Sequence, residues 1–396
     1  VRRWNNALAA AIRAEDAAHP ITSEYYQRTH NGIDARLSIG ELDLANIGYF
    51  GPPRLDFAQL PAFIKWNDQR LVGKSVNIGE FGVKTHDAWA AETDGWGYHT
   101  GRTEEEQRRL FWWVVHAALA FDVTKIQNWC WSDDPDGVFP WGVAWNNPLR
   151  PKPVLKLWRN LRAFSDLVAR EDRRDPVVFL TPDGWRLGAP EDLAERAVLQ
   201  ALECLLACGV GFAVAGQRDL GLLEAQAPGV LIAPLAYAIE DDALARILRL
   251  AERGWQVYLS GDPAIGPDGH ARPERYALLG VRLVGEDRTP EGLPAPRMEP
   301  DGAERLLTPL GIPMYRKALG EGALWLAPTP WEALPGRDLF LRNAAAARDP
   351  RANLYLWLLH TLGHPPTARI TDSQGVWHAA ATPSGPDLLV TLYPRG

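Results

Sequence analysis

Cysteine is scarce in this sequence: its 396 residues hold three, Cys130, Cys204 and Cys208. Three cannot build a disulfide framework and their spacing makes no zinc site, so a reduced, cytoplasmic setting is the expectation. Basic runs are absent and the net charge is −7, which argues against nucleic acid and anionic membrane as partners. No apolar run of about 18 residues escapes a charge, Gly or Pro, so no membrane-spanning helix is expected. Methionine is rare, and the sequence opens Val1-Arg2-Arg3-Trp4, already inside a helical pattern and with no visible signal peptide. What the chain does have is apolar content, 46%, enough to exclude disorder and to fill two or three domain cores. It also has 17 Trp, and 11 of them precede residue 160.

Along the chain, apolar strands alternate with helices. Residues 4–18 read as an amphipathic helix ended by His19-Pro20. Strands are expected at 21–26, 43–50, 75–82 and 124–131, with helices at 55–71 (closed by Gly73), 103–121 and 153–168. The helix at 103 starts on a Thr N-cap followed by three Glu, a strong start signal. Strand–loop–helix repetition predicts a parallel α/β sheet or barrel, and four strands are half of an eight-fold barrel. The charged stretch 171–176 reads as a hinge. After it, VVFLT, FAVAG, GVLIAP and WQVYLSG with helices at 190–209 and 240–253 predict a small doubly wound domain, followed by a late strand and turn at 321–335 and a helix at 350–362. ARITD, GVWHAAATP and DLLVTLYP near the end alternate as antiparallel strands. The expected domains are 1–168, 175–365 and 366–396.

Working groups of parallel α/β folds gather at the carboxyl ends of strands. The four strands of the first part end in Glu24-Tyr25-Tyr26, Tyr49-Phe50, Glu80-Phe81-Gly82 and Trp129-Cys130-Trp131: two carboxylates and an aromatic wall. A carboxylate pair with aromatic surfaces for sugar rings is the equipment of glycoside hydrolysis. Glu80 stands out, because an apolar strand tolerates a charge only if it is paired or exposed at the strand end; a salt-bridged Glu is the plain alternative. Glu24 reads as a substitute acid, a substrate hydrogen-bonder or a paired Glu. Tyr49 either orients the nucleophile or packs in the core. Trp129 and Trp131 alternate, so one of them is expected to line the cleft. Trp89, Trp96, Trp141 and Trp145 sit in strand-end loops, for stacking on sugars or for loop packing. Asp133, Asp134 and Asp136 look like a fragment of a calcium loop without its spacing and read as a turn, with sugar-hydroxyl binding as the alternative. His86 and His99 read as surface or substrate contacts. His360 and His364 are separated by a helix break and do not suggest a metal site. Cys204 and Cys208 share a helix face and read as core, and Gly320-Glu321-Gly322 lacks the third glycine of a dinucleotide loop. No metal, flavin or other cofactor is expected.

These segments carry a resemblance. GEFG at 79–82, NWCW at 128–131, NIGYF at 46–50 and HPITSEYY at 19–26 resemble, in order, the seventh, eighth, sixth and fifth strands of clan A glycoside hydrolases, the group with families 5 and 42. NPLRPKPVLK at 147–156 resembles the segment closing such barrels. Residues 175–365 resemble in layout the flavodoxin-like or amidotransferase-like domain that follows the barrel in family 42 enzymes, where it mediates trimerisation. The resemblance implies the C-terminal half of a TIM (β/α)8 barrel, then a flavodoxin-like domain and the start of a β-domain. It implies Glu80 as nucleophile, Trp129 or Trp131 stacking the sugar, and a homo-oligomer, with a trimer as one form; the reading of the residues adds Trp141, Glu24 and Tyr49 as candidate contacts of the carbohydrate. One departure stands out: the acid of this clan lies in an Asn-Glu pair on the fourth strand, and no Asn-Glu occurs in this sequence. The expectation is a retaining β-glycosidase whose acid lies upstream of Val1, leaving this chain inactive alone on ordinary glycosides. The alternative is a non-catalytic carbohydrate-binding or assembly protein derived from such an enzyme.

Overall fold

A computed structural model of the chain describes residues 1–26, 35–49, 59–85, 102–136, 139–165, 175–185, 191–333, 350–365, 377–384 and 387–394. The first part runs α1 (Arg2–Glu15), β1 (Thr22–Tyr26), α2 (Ala35–Ser38), β2 (Leu44–Gly48), α3 (Leu60–Trp66), β3 (Ser75–Phe81), α4 (Glu104–Ala120) and β4 (Lys125–Asn128). A short hairpin, β5 (Ala144–Trp145) with β6 (Arg150–Pro151), leads into α5 (Pro153–Ser165). β1 to β4 form one parallel sheet in chain order. No closed barrel forms among the described residues.

Local chemistry explains the helix ends. Thr103 and Glu106 close a reciprocal capping box on α4, satisfying donors the helix leaves open. Gly73 ends the turn after α3 in the left-handed region, φ 72, where a side chain would be strained. Helices cover one face of the sheet. Ala45 and Ile47 of β2 and Val76, Ile78 and Phe81 of β3 pack there with Phe63, Phe111, Val114 and Val154.

The second part begins with β7 (Val177–Leu180), α6 (Glu191–Ala207), β8 (Phe212–Ala215), α7 (Leu220–Leu223), β9 (Val230–Ala233), α8 (Asp241–Glu252) and β10 (Gln256–Ser260). It continues with α9 (Glu274–Leu279), β11 (Val281–Gly285), β12 (Arg297–Pro300), β13 (Glu304–Leu307), β14 (Pro313–Leu319), β15 (Gly322–Ala327) and α10 (Pro350–Thr361). Its sheet is ordered β13-β14-β15-β10-β9-β7-β8, with the last five strands in that row parallel. Those five, numbered along the chain, lie in the order 2-1-3-4-5, one of the two common doubly wound arrangements. Both faces are covered: Val177 and Phe179 enter one core, Val178 and Leu180 another. That is why the strands read as continuous apolar runs. The antiparallel strands β13 and β14 were not foreseen. β14 (PMYRKAL) is too polar to read as a buried strand, and it adds to the sheet through the tight turn at Gly320, φ 54. β16 (Trp377–Ser384) and β17 (Asp387–Pro394) form the expected antiparallel hairpin; the expected strand ARITD lies outside the described residues.

A buried charge network fastens the two sheets. Asp68 accepts from Lys65 at 2.7 Å and from Arg70 at 2.8 Å. Arg70 also reaches Asp122 at 2.6 Å and Asp175 at 3.2 Å. Lys65 donates to the Phe212 carbonyl, and Arg36 to that of Val214 at 3.1 Å, so β8 is tied to the helices under the first sheet.

Candidate active site

Glu80 owes its orientation to a bulge. β3 has one residue more than either neighbour. Ile47 pairs with Ile78 but Gly48 with Glu80, and on the other side Ile126 pairs with Ile78 but Asn128 with Phe81. The extra residue is Gly79. A bulge shifts the alternation of side chains, so Ile78 and Phe81, three apart, both enter the helix-side core. Phe81 lies 4.6 Å from Phe111 between ring centres. Glu80 is thereby turned to the opposite face, half-buried at the carboxyl end of the sheet. A Cβ at 79 would lie 2.5 Å from Asn46 Cγ, with the amide O and N closer still, so any larger residue there must push the Asn46 side chain aside.

The face that receives Glu80 is polar. Glu24 of β1 pairs in register with Asn46 of β2, which pairs with Asn77 of β3. Thr124 donates its hydroxyl to Asn77 Oδ1. Burial raises the pKa of the Glu80 carboxyl above the ordinary value of 4.5. Glu24 is pushed up to about 7, first by partial burial of its carboxyl and then by the charge of Glu80. The residue as a whole is exposed; its carboxyl end is the desolvated part. Tyr26, level with Gly48, stands level with Glu80 through it, and Glu24 lies two residues back along β1. Two strands separate the backbones by about 10 Å.

The aromatic residues divide. Tyr49 does not line this face. It shares the parity of Ala45 and Ile47 and is buried against Phe63, ring centres 5.1 Å apart. Its backbone N–H holds the Glu80 carbonyl at 2.8 Å, so it touches the site through the main chain. Trp129 and Trp131 fall beyond β4, which ends at Asn128 rather than at 131, so strand alternation does not govern them. Both are exposed, 39% and 62%. The Trp129 N–H donates to the Phe81 carbonyl at 2.7 Å, and its ring meets Phe139 edge-on at 6.3 Å. Trp141 is buried, 6.0 Å from Phe139, and backs this cluster instead of facing a ligand. Trp145 donates to Glu104 at 2.8 Å, at the start of α4.

Asp133 is buried in an ion pair with Lys152, and Asp134 accepts from the N–H of Asp136, which makes the acidic stretch a built turn. Cys204 and Cys208 are core residues. No group of three metal-ligating side chains occurs among the described residues, and no described helix is long and apolar enough to cross a membrane. Trp89, Trp96, His86 and His99 lie outside the described residues. Asn46 and Asn77 were missed by the sequence reading. Their signal is a polar residue inside an otherwise apolar strand, the feature that singled out Glu80.

No protein-family profile and no curated protein sequence matches the chain. Solved structures do match in fold. A β-galactosidase from Bacillus circulans sp. alkalophilus superposes with a TM-score of 0.71 at 12% identity, covering 95% of this chain and 58% of its own. A catalytic mutant of a family GH42 β-galactosidase from G. stearothermophilus gives 0.68 at 13%, covering 94% and 58%. An exo-β-1,4-mannosidase from Opitutaceae bacterium strain TAV5 gives 0.59 at 16%, covering 90% and 69%. The fold is thus similar to that of clan A family 42 enzymes, and the chain spans 58% of the length of the two β-galactosidases.

Proposed function

We propose that this chain carries the nucleophile of a retaining glycoside hydrolase acting on β-glycosides, of the β-galactosidase or cellulase-like kind. The observation that carries the reading is the Gly79 bulge, which turns Glu80 onto the polar carboxyl-end face of a parallel sheet, where such folds place their chemistry. The exposed Trp129 beside Phe81 offers an apolar ring face for a sugar. The fold similarity to glycosidases supports the same reading.

In this mechanism Glu80 attacks the anomeric carbon as the bond to the leaving oxygen breaks, forming a glycosyl ester. A second carboxyl protonates the leaving oxygen, then takes a proton from the water that cleaves the ester. Retention requires the two carboxyls about 5–5.5 Å apart. Glu24, two strands away, fits the role of hydroxyl ligand or electrostatic neighbour better than that of acid. The acid is therefore assigned to a carboxyl that these four strands do not carry. The chemistry needs no metal or cofactor. The second sheet, with its 2-1-3-4-5 order, is read as a flavodoxin-like assembly unit. The exposed Leu278, Val284, Leu307 and Leu310 are consistent with self-association.

A dinitrophenyl 2-deoxy-2-fluoroglycoside tests this, because its leaving group needs no acid. Mass spectrometry should show a covalent adduct on Glu80, and Glu80→Gln should abolish it. No adduct with galactosyl, glucosyl or mannosyl reagents, or an adduct that survives in Glu80→Gln, refutes the assignment and favours the non-catalytic carbohydrate-binding reading.

A further inference from the structure

Two segments meet beyond the end of the strand that carries Glu80: residues 82–85, just after it, and residues 129–136 with 139–145, which include Trp129. Lys152, the residue before α5, lies between them. Its Nζ is 2.7 Å from Asp133 Oδ1 and 3.1 Å from Thr85 Oγ1, and it sits 4.7 Å from the centre of the Trp145 ring. The Lys152 and Asp133 side chains are 0% and 1% exposed. The same Asp133 oxygen accepts the N–H of Gly142 at 2.8 Å, which pins the outgoing and returning arms of the loop to each other. Glycine is required at 142, since a Cβ there would lie 2.6 Å from Ser132 Cα. Gln107 of α4 makes a second clamp, donating from Nε2 to the carbonyls of Val83 at 3.0 Å and Gly142 at 3.1 Å. The Thr85 N–H donates to Pro140 at 2.9 Å.

A surface turn does not need a fully buried ion pair. Such pairs add little net stability over apolar residues of the same shape, because desolvating both charges offsets their attraction. What the pair does supply is a junction: one ammonium is bonded at once to Asp133 of one segment and to Thr85 of the other. We propose that Lys152 and Asp133 are positioning residues of the site, locking residues 129–136 and 139–145 to the segment after Glu80 so that Trp129 is held at a fixed place beside the nucleophile strand. The inference deepens the glycosidase reading and rests on it for what Trp129 faces. The locking of the loop stands on the contacts alone.

Cys130 provides a probe independent of catalysis. It is half-buried in this loop, with its thiol directed at the Ser132 carbonyl at 3.2 Å, whereas Cys204 and Cys208 are core residues. In Lys152→Met, the reaction of Cys130 with a disulfide reagent should accelerate on the order of tenfold or more, because an unpaired buried Asp133 opens the loop. A Cys130→Ser background identifies the signal. Acrylamide quenching of the Trp129 emission, defined by its loss in Trp129→Phe, should rise in parallel, with far-UV circular dichroism unchanged. Lys152→Arg, which keeps a cation for Asp133, should return both readings toward wild type. If Lys152→Met does not fold, Asp133→Leu/Lys152→Met removes both charges. It should fold and still show fast Cys130 and quenchable Trp129, since the anchors to Gly142 and Thr85 are gone. Wild-type reactivity and quenching in whichever variant folds overturn the proposal. The fluoroglycoside adds a separate arm: in the loosened variant its saturation concentration should rise several-fold while its limiting rate changes less. If the wild type is not labelled at all, the glycosidase reading falls, and the thiol and quenching results still decide whether the pair locks the loop.

Discussion

Gly79→Ala tests the device that aims Glu80. The backbone at 79 is not in the left-handed region, so alanine meets no torsional penalty there. Its one obstacle is the Asn46 side chain, whose Cγ would lie 2.5 Å from the new methyl. Carbon–carbon contacts settle at about 3.5–4.0 Å, so the Asn46 amide must swing by more than about 1 Å or β3 must shift. Asn46 is half-buried on the polar face and meets the methyl with the mobile end of its side chain, so the cost should sit at the low end of the range of about 1–3 kcal/mol typical of overpacking. Asn46→Ala removes the obstacle. The substitutions should therefore couple: in the double variant the cost of the methyl at 79 should fall by about 1 kcal/mol or more relative to Gly79→Ala alone. Urea unfolding followed by Trp fluorescence gives the four stabilities, with changes in midpoint at constant slope. Covalent labelling at Glu80 should drop in Gly79→Ala and recover in part in the double variant. A Gly79→Ala protein within about 0.5 kcal/mol of wild type, or strictly additive single and double variants, would show that the Asn46 side chain does not restrict position 79.

Two pH predictions follow from the carboxyls. Glu24, raised to about 7, ionises after Glu80, so Glu80 titrates beside a neutral neighbour. Labelling of Glu80 should show an acid limb and a second inflection near pH 7; Glu24→Gln should erase the second and leave the first in place, and an inflection that persists in Glu24→Gln refutes the pairing. Glu332 is wholly buried and accepts from Ser260 Oγ at 2.7 Å, Tyr258 OH at 3.2 Å and Tyr355 OH at 3.3 Å, yet burial still lifts it to about 7 from 4.5. Between those values the native state binds the proton that the unfolded chain has released, so stability should fall as pH rises, by about 3 kcal/mol in all. Glu332→Gln should flatten that slope; an unchanged pH profile of the urea midpoint would refute it.

The order of elements was legible because it depends on local chemistry. The Thr103 cap acts within a few residues and sits where the sequence places it; the helix expected over 55–71 ends at Trp66, with Gly73 closing a separate 3-10 turn at Arg70–Val72, and β4 ends at Asn128. The doubly wound second sheet was legible for a related reason: strands buried on both faces must be apolar throughout. Glu80 was legible as a charge in such a strand. Its direction was not, because a bulge is defined by pairing with β2 and β4, and pairing is long-range. The same holds for the aromatic residues. Period-two alternation places Tyr49 with Ala45 and Ile47, but only the position of the helices shows that this face is the core. Trp129 and Trp131 alternate in sequence, yet β4 stops before them. Asp133 and Lys152, separated by the whole loop, are brought together only by the folded chain. Local residue chemistry set most of the elements and singled out Glu80, and the family resemblance supplied its expected role; register and burial decided which side chains share its face, because both depend on neighbours distant in sequence.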